Sequence, residues 1–99
     1  MANRINYNQA ITQANDIKGL STELNNEIAS LESLLARVKN EWKGPASDEF
    51  QRRLQMMITD MKITRDDMAS VSSSIKVEAN RIQQEDDRIN AITETFRSW

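Results

Sequence analysis

Trp42-Lys43-Gly44-Pro45-Ala46 interrupts this 99-residue chain near its midpoint. Pro45 is the only proline, and Gly44 is one of two glycines. A Gly-Pro step ends a helix, because glycine adopts positive φ at little cost and proline lacks an N–H and restricts the residue before it. Proline also suits the first turn of a new helix, where its missing donor would have had no partner. The stretch therefore predicts a helix, a sharp turn and a second helix.

Before the turn, apolar residues recur at alternating spacings of four and three, which is typical of a helix packed along a seam. The series comprises Ala10, Ala14, Ile17, Ser21, Leu24, Ile28, Leu31, Leu35, Val38 and Trp42. It predicts a first helix over residues 8–41. Gly19 lies inside this helix, where it would allow a close helix approach, a kink or a later helix start. We expect one continuous helix that is weaker in its first part.

After the turn, a similar series predicts a second helix over residues 47–96, so that the turn spans residues 42–46. Ser47 or Gly44 is expected to cap this helix. Two successive four-residue steps, at Val71, Ile75 and Ala79, predict a local unwinding of the supercoil. The series comprises Phe50, Leu54, Met57, Met61, Thr64, Met68, Val71, Ile75, Ala79, Ile82, Asp86 and Ile89.

These patterns predict an all-α fold, in which residues 1–99 form one antiparallel helix-turn-helix hairpin. The rod is expected to be on the order of 50 Å long. Only 38% of the residues are hydrophobic, which is enough to line a seam rather than a thick core. Further apolar residues lie off the predicted seam, and each CH₂ left in water costs about 0.8 kcal/mol. These residues are Leu20, Leu34, Met56, Ile58 and Ile63. Two hairpins are therefore expected to pair into a four-helix bundle, as a homodimer or with a second protein of the same kind.

Composition excludes several classes of function. The chain has no cysteine and no histidine, and its net charge of −2 comes from interspersed acids and bases, which argues against nucleic-acid binding. We expect no metal, no cofactor, no catalytic residues and no enzyme activity, since Glu85, Asp86 and Asp87 point to different sides of a helix. Stable membrane insertion is not expected, because no apolar run approaches about 18 residues. The N-terminus has no apolar signal region, which predicts synthesis in the cytoplasm and no cleaved signal peptide.

Trp42, Gly44, Ala46 and Phe50 together form the pattern W-x-G-x-A-x-x-x-F in the middle of a chain of about a hundred residues. This pattern resembles that of the WXG family of ESAT-like proteins. The resemblance implies a helical hairpin exported by a bacterial type VII secretion system, as a dimeric substrate, adaptor or effector that contacts the secretion ATPase. Trp42 would then be partly exposed for recognition, would plug the hairpin end, or would do both. The alternative is a cytoplasmic coiled-coil scaffold unrelated to secretion.

The same family carries a C-terminal export signal, Tyr-x-x-x-Asp/Glu, from which this chain departs. Its only tyrosine is Tyr7, and the nearest pattern by position is Ile82-x-x-x-Asp86. The resemblance implies a degenerate signal at Ile82 and Asp86, or a signal supplied by a dimer partner. The other interpretation makes Ile82 a seam residue and Asp86 part of a solvated acidic surface.

Phe96 and Trp99 stand three residues apart at the end of the chain. The resemblance implies that this aromatic pair is an apolar hook for the secretion ATPase. In the alternative interpretation, both rings pack against Ile5 and Tyr7, which an antiparallel hairpin brings close.

Overall fold

The protein consists of two long helices, α1 (Ala2–Glu41) and α2 (Pro45–Arg97). They were determined in a computed structural model that describes the backbone of residues 2–98 and the side chains of residues 6–98. The all-α hairpin predicted from the sequence is confirmed. The turn is shorter than expected, with residues 42–44 in place of 42–46, because Pro45 already occupies the first position of α2. α1 also starts earlier than residue 8, and it runs unbroken through Gly19.

Hydrogen bonds between the arms fix their antiparallel register. Ser72 Oγ donates to the Ala14 carbonyl oxygen at 2.7 Å, and Ser21 Oγ donates to the Arg65 carbonyl oxygen at 2.9 Å. Both serines are buried in the seam. A serine side chain that bonds to the backbone of the other arm allows the helices to approach closely and leaves no buried hydroxyl without a partner.

The predicted α1 seam is confirmed along almost its whole length. Ala14, Ser21, Ile28 and Leu35 are buried, and the intervening members of the series are half-buried. Only Trp42, the last member, is exposed. The alternating spacing of four and three therefore identified the face of α1 that contacts α2.

The predicted α2 seam is wrong at every second position. Six of its members are exposed: Phe50, Met57, Thr64, Val71, Ile82 and Ile89. For the first four, the next residue faces α1 instead, namely Gln51, Ile58, Arg65 and Ser72. Ile58, expected to lie off the seam, is fully buried. The double four-residue step falls at Ile75, Ala79 and Gln83, one step later than expected, since Ala79 is buried and Gln83 is half-buried.

Apolar packing is concentrated in the half of the hairpin next to the turn, which we call the turn half. Its core consists of Ile28, Leu35, Leu54 and Ile58, with Leu24, Leu31 and Met61 packed against it. In the other half, the buried positions among residues 6–98 hold only alanine and serine, at Ala14, Ser21, Ser72 and Ala79. Most of the hydrophobic stabilisation therefore comes from the turn half.

The two long sides of the hairpin differ in chemistry. On the polar side, Lys62 Nζ lies 3.0 Å from Glu32 Oε2 and Arg65 Nη1 donates to Asn25 Oδ1 at 2.8 Å. Glu32 and Lys62 each follow a seam residue. Leu20 and Met57, in contrast, each precede a seam residue, and residues at such positions lie on the opposite side of the hairpin. We call that opposite side the apolar side, and its large exposed hydrophobic residues are Leu20, Leu34, Phe50, Met57 and Val71.

The rod is 83 Å long and 14 Å across, longer than the 50 Å expected, because α2 continues for 53 residues without a break. From the observed register, Ala2 lies level with about residue 85 of α2. Residues 88–97 therefore extend beyond α1, and we call this segment the overhang. Within residues 2–98, neither helix contains a stretch long and apolar enough to cross a membrane.

Candidate functional site

Gly44 makes the reversal between the two helices. Its φ is 119° and its ψ is 174°, a conformation that is open essentially to glycine alone. Gly44 is the N-cap residue of α2, and its carbonyl oxygen accepts a hydrogen bond from the Asp48 N–H at 3.0 Å. The glycine of the W-x-G pattern is therefore required by backbone geometry at this position.

The buried side chain of Ser47 stabilises the turn through hydrogen bonds, a role that sequence reasoning missed. We expected Ser47 or Gly44 to cap α2, and Gly44 is the N-cap. The Ser47 hydroxyl instead donates to the Trp42 carbonyl oxygen at 2.7 Å and accepts from Gln51 Nε2 at 3.0 Å. Ser47 is fully buried. Its position seven residues before Leu54 was the available signal, because that spacing places it in the seam.

Trp42 and Phe50 form an aromatic pair at the tip of the rod. Their ring centroids are 5.7 Å apart and the ring planes are tilted by 48°. Trp42 remains 44% exposed and Phe50 40% exposed. Ala46 is also exposed, in the first turn of α2. The four residues of the predicted motif thus lie together around the turn, and the indole presents a large surface to solvent.

A cluster of charges follows the aromatic pair on α2. Glu49 Oε1 accepts hydrogen bonds from Arg52 at 2.7 Å and from Arg53 at 2.8 Å. The hydrogen bond from Arg52, and then that from Arg53, lower the pKa of Glu49 from 4.5 to about 2. The same pair raises the pKa of Arg52. Both contacts of Glu49 are ion pairs within one turn of α2, at spacings of three and four residues.

We predict that the Glu49 carboxyl carbon titrates with a midpoint near pH 2 in ¹³C NMR spectra. The lowered pKa means that the ion pair stabilises the folded state above about pH 4.5, the unfolded value, and that this contribution is lost as the pH falls towards about 2. Replacing Arg52 with glutamine should raise the midpoint towards 4.5, whereas Arg81→Gln, far along α2, should not change it. Glu49, Arg52 and Arg53 are all exposed, so the effect of their ion pairs on overall stability is small. A midpoint near 4.5 in the unmodified protein would contradict the ion-pair geometry.

Ile82 and Asp86, the degenerate C-terminal signal, lie one helical turn apart on the same face of α2. Ile82 is 51% exposed and Asp86 is half-buried. Ile82 and Gln83 line a cavity of about 270 Å³ together with Asn6, Tyr7, Ala10 and Ala79. Tyr7 donates a hydrogen bond to Asn80 Oδ1 at 2.7 Å, so the only tyrosine of the chain lies beside Ile82.

Phe96, the first residue of the predicted hook, lies in the overhang and is 73% exposed. The alternative in which it packs against Tyr7 is wrong, because Tyr7 bonds to Asn80, about 24 Å before Phe96 along the helix. Trp99, the second residue of the hook, and the side chain of Ile5 lie outside the described residues.

In residues 2–98, no group of acidic side chains is arranged to hold a metal ion. In comparisons with known proteins, the model of the family WXG100, described as proteins of 100 residues with WXG, matches residues 3–87. No curated protein and no solved structure matches the chain. The matched range contains all of α1 except Ala2, the turn and the Ile82–Asp86 pair, whereas the overhang lies entirely outside it.

Proposed function

Because the chain belongs to the WXG100 family, we propose that it is a small non-enzymatic protein exported by a type VII secretion system. The family is associated with substrates of that system, and its members are typically secreted. In this proposal the protein is made in the cytoplasm, leaves the cell without a cleaved signal peptide, and acts as a dimeric export substrate, adaptor or effector. Its partners are a second copy of the chain and the secretion ATPase.

The observation that carries the proposal is the exposed aromatic pair at the turn. A half-exposed tryptophan at the end of a narrow rod offers a partner a large apolar contact together with one indole N–H donor. Gly44 and Ser47 hold the backbone beneath it, so the ring is presented in one arrangement. Large aromatic side chains on rigid supports are the residues that most often dominate binding energy at interfaces.

At the other end of the rod, we propose that Ile82 and Asp86 form a relaxed version of the C-terminal export signal. Tyr7 places an aromatic ring next to Ile82 from the other arm, and the three residues lie within a few helical turns of the overhang. Phe96 then remains accessible on the last turns of α2 as the apolar hook.

Replacing Trp42 with alanine tests the proposal. We expect the variant to remain helical, since the ring is 44% exposed and the core lies deeper in the turn half, but to disappear from the culture medium and accumulate in the cells. The matched controls are Lys43→Ala, at the exposed neighbouring position, and Trp42→Phe, which keeps a ring beside Phe50; both should be exported.

Export of Trp42→Ala at the level of the unmodified protein would contradict recognition of the turn. If neither the variant nor the unmodified protein ever reached the medium, the protein would be a cytoplasmic scaffold and the proposal would fail. Circular dichroism of the purified variants separates a loss of recognition from a loss of folding.

A further inference from the structure

Four of the five methionines lie between positions 56 and 68 of α2, in two kinds of surroundings. Met61 and Met68 are half-buried in the seam, and Met61 packs against the core of the turn half. Met56 and Met57 are 55% and 48% exposed. Oxidants convert a thioether to a sulfoxide where they can reach the sulfur. The two exposed sulfurs are therefore the first that an oxidant meets.

Met56 lies on the face of α2 that points away from α1, which we call the outer face. It is two residues from each of the buried Leu54 and Ile58, which places it about 200° around the helix from both. Met57, in contrast, lies on the apolar side. Met56 therefore stays open to solvent whether or not the apolar side is covered.

The sulfur of Met56 has a hydrogen-bond donor beside it. Arg52 Nη1 lies 3.3 Å from Met56 Sδ, one helical turn away. The same guanidinium donates through Nε and Nη2 to the two carboxylate oxygens of Glu49, at 3.1 and 2.7 Å. This two-point contact fixes the plane of the guanidinium and directs the remaining nitrogen at the thioether. A thioether sulfur has two lone pairs, and the Arg52 N–H occupies one of them.

We propose that Met56 is a site of reversible oxidation by a peroxide, at which Arg52 directs the reaction to one of the two sulfoxide epimers. The free lone pair of the sulfur attacks one peroxide oxygen, the O–O bond breaks and an S–O bond forms. The proton of the attacked oxygen passes to the leaving oxygen, which departs as water or as an alcohol. The sulfur loses two electrons in this step and the peroxide gains them.

Arg52 sets the stereochemistry because the sulfoxide sulfur is a chiral centre. Which of the two lone pairs reacts decides which epimer forms. With one lone pair held by the Arg52 N–H, the peroxide reacts at the other. One hydrogen bond of ordinary net strength corresponds to a roughly two- to tenfold preference. The epimer ratio at Met56 therefore reports the contact with Arg52.

Oxidation at Met56 changes the surface and leaves the core intact. Ile63 and Val77 also lie on the outer face, at seven and twenty-one residues from Met56, and are 56% and 64% exposed. The sulfoxide makes the end of this apolar row nearest to the turn polar. The same change at Met61 would instead place a polar group against the core. Because each sulfoxide reductase acts on one epimer, a single reductase restores Met56.

Limited oxidation of the folded protein by hydrogen peroxide, followed by trypsin digestion and mass spectrometry, tests the site. Trypsin cleaves after Arg53 and Lys62, so that Met56, Met57 and Met61 are read from one peptide. We expect Met56 to be oxidised before the half-buried Met61. Treating the peptides with a reductase specific for each epimer then measures the epimer ratio. At Met56 one epimer should be in roughly two- to tenfold excess.

Arg52→Gln removes the donor and should bring the two epimers of Met56 to equal amounts, while the ratio at Met57 stays as it was. Arg81→Gln, the same substitution far along α2, should change neither ratio. Circular dichroism checks that both variants remain helical. Equal epimers in the unmodified protein, or an excess that survives Arg52→Gln, would overturn the role of Arg52. Oxidation of Met61 as fast as that of Met56 would overturn the site itself. These results do not depend on whether the protein is exported or dimeric.

Discussion

Replacing Ile58 with aspartate (I58D) is expected to unfold the hairpin. Ile58 is fully buried in the turn half, where it belongs to the core cluster with Ile28, Leu35 and Leu54. An unpaired carboxylate at this position loses several kcal/mol of hydration and leaves the apolar contacts of isoleucine unmade. A domain of this size has a total stability of only about 5–15 kcal/mol, and this core is small for its length. Far-UV circular dichroism and urea titration measure the loss directly.

The matched variant is Met57→Asp, one residue earlier on the same helix. Met57 is 48% exposed on the apolar side, so its replacement should keep the helical signal of the hairpin while weakening dimer formation. The two variants place the same charge at adjacent positions, so a difference in their stability cannot be explained by net charge. Unfolding of Met57→Asp together with a stable I58D would show that the seam of α2 follows the pattern inferred from sequence, and would refute the register described above.

The two glycines should respond in opposite directions to alanine. At Gly44, with its φ of 119°, a Cβ would meet no atom within 4 Å, so the cost of Gly44→Ala is backbone strain of about 1–3 kcal/mol. Gly19 lies in the middle of α1, and a Cβ there also has open space. Gly19→Ala should therefore raise the free energy of unfolding by about 0.5–1 kcal/mol, because alanine favours the helix.

Urea denaturation at a fixed protein concentration measures both changes, and holding the concentration fixed matters because dimerisation contributes to the apparent stability. Each glycine serves as the control for the other, since both variants add one methyl group in open space. Destabilisation by Gly19→Ala would indicate that another chain approaches α1 at this point. An unchanged stability in Gly44→Ala would mean that the turn tolerates a different backbone path.

The sequence predicted α1 more accurately than α2, and the reason lies in the residues that flank each seam. On α1, the positions beside the seam are mostly polar, so one apolar row stands out. On α2, the exposed row of Phe50, Met57, Thr64 and Val71 holds three large hydrophobic residues, whereas the seam positions beside it hold one, Ile58, together with Gln51, Arg65 and Ser72. Periodicity reveals how many residues separate apolar side chains, but it does not reveal which of two adjacent rows faces the other helix.

The turn motif could be located from sequence because each of its parts has a local cause. A positive φ at Gly44 and a proline at the next position follow from the chemistry of those residues. The contact of Ser47 with the Trp42 carbonyl oxygen could not be located in this way, because serine at a helix start ordinarily predicts a cap. Likewise, the lengths of the two arms predicted a hairpin, but the overhang depends on the register, which the two seam serines set.

The uneven distribution of large side chains along the seam predicts which part of the hairpin opens first. Thermal fluctuations should part the two arms first around Ala14 and Ser72, where the most deeply buried side chains are small, and should reach Leu35 and Leu54 last. Folding should run the opposite way, because a three-residue turn is closed at little entropic cost and brings those leucines together early. The hydrogen bond between Tyr7 and Asn80 is then among the last contacts to form and among the first to break on heating.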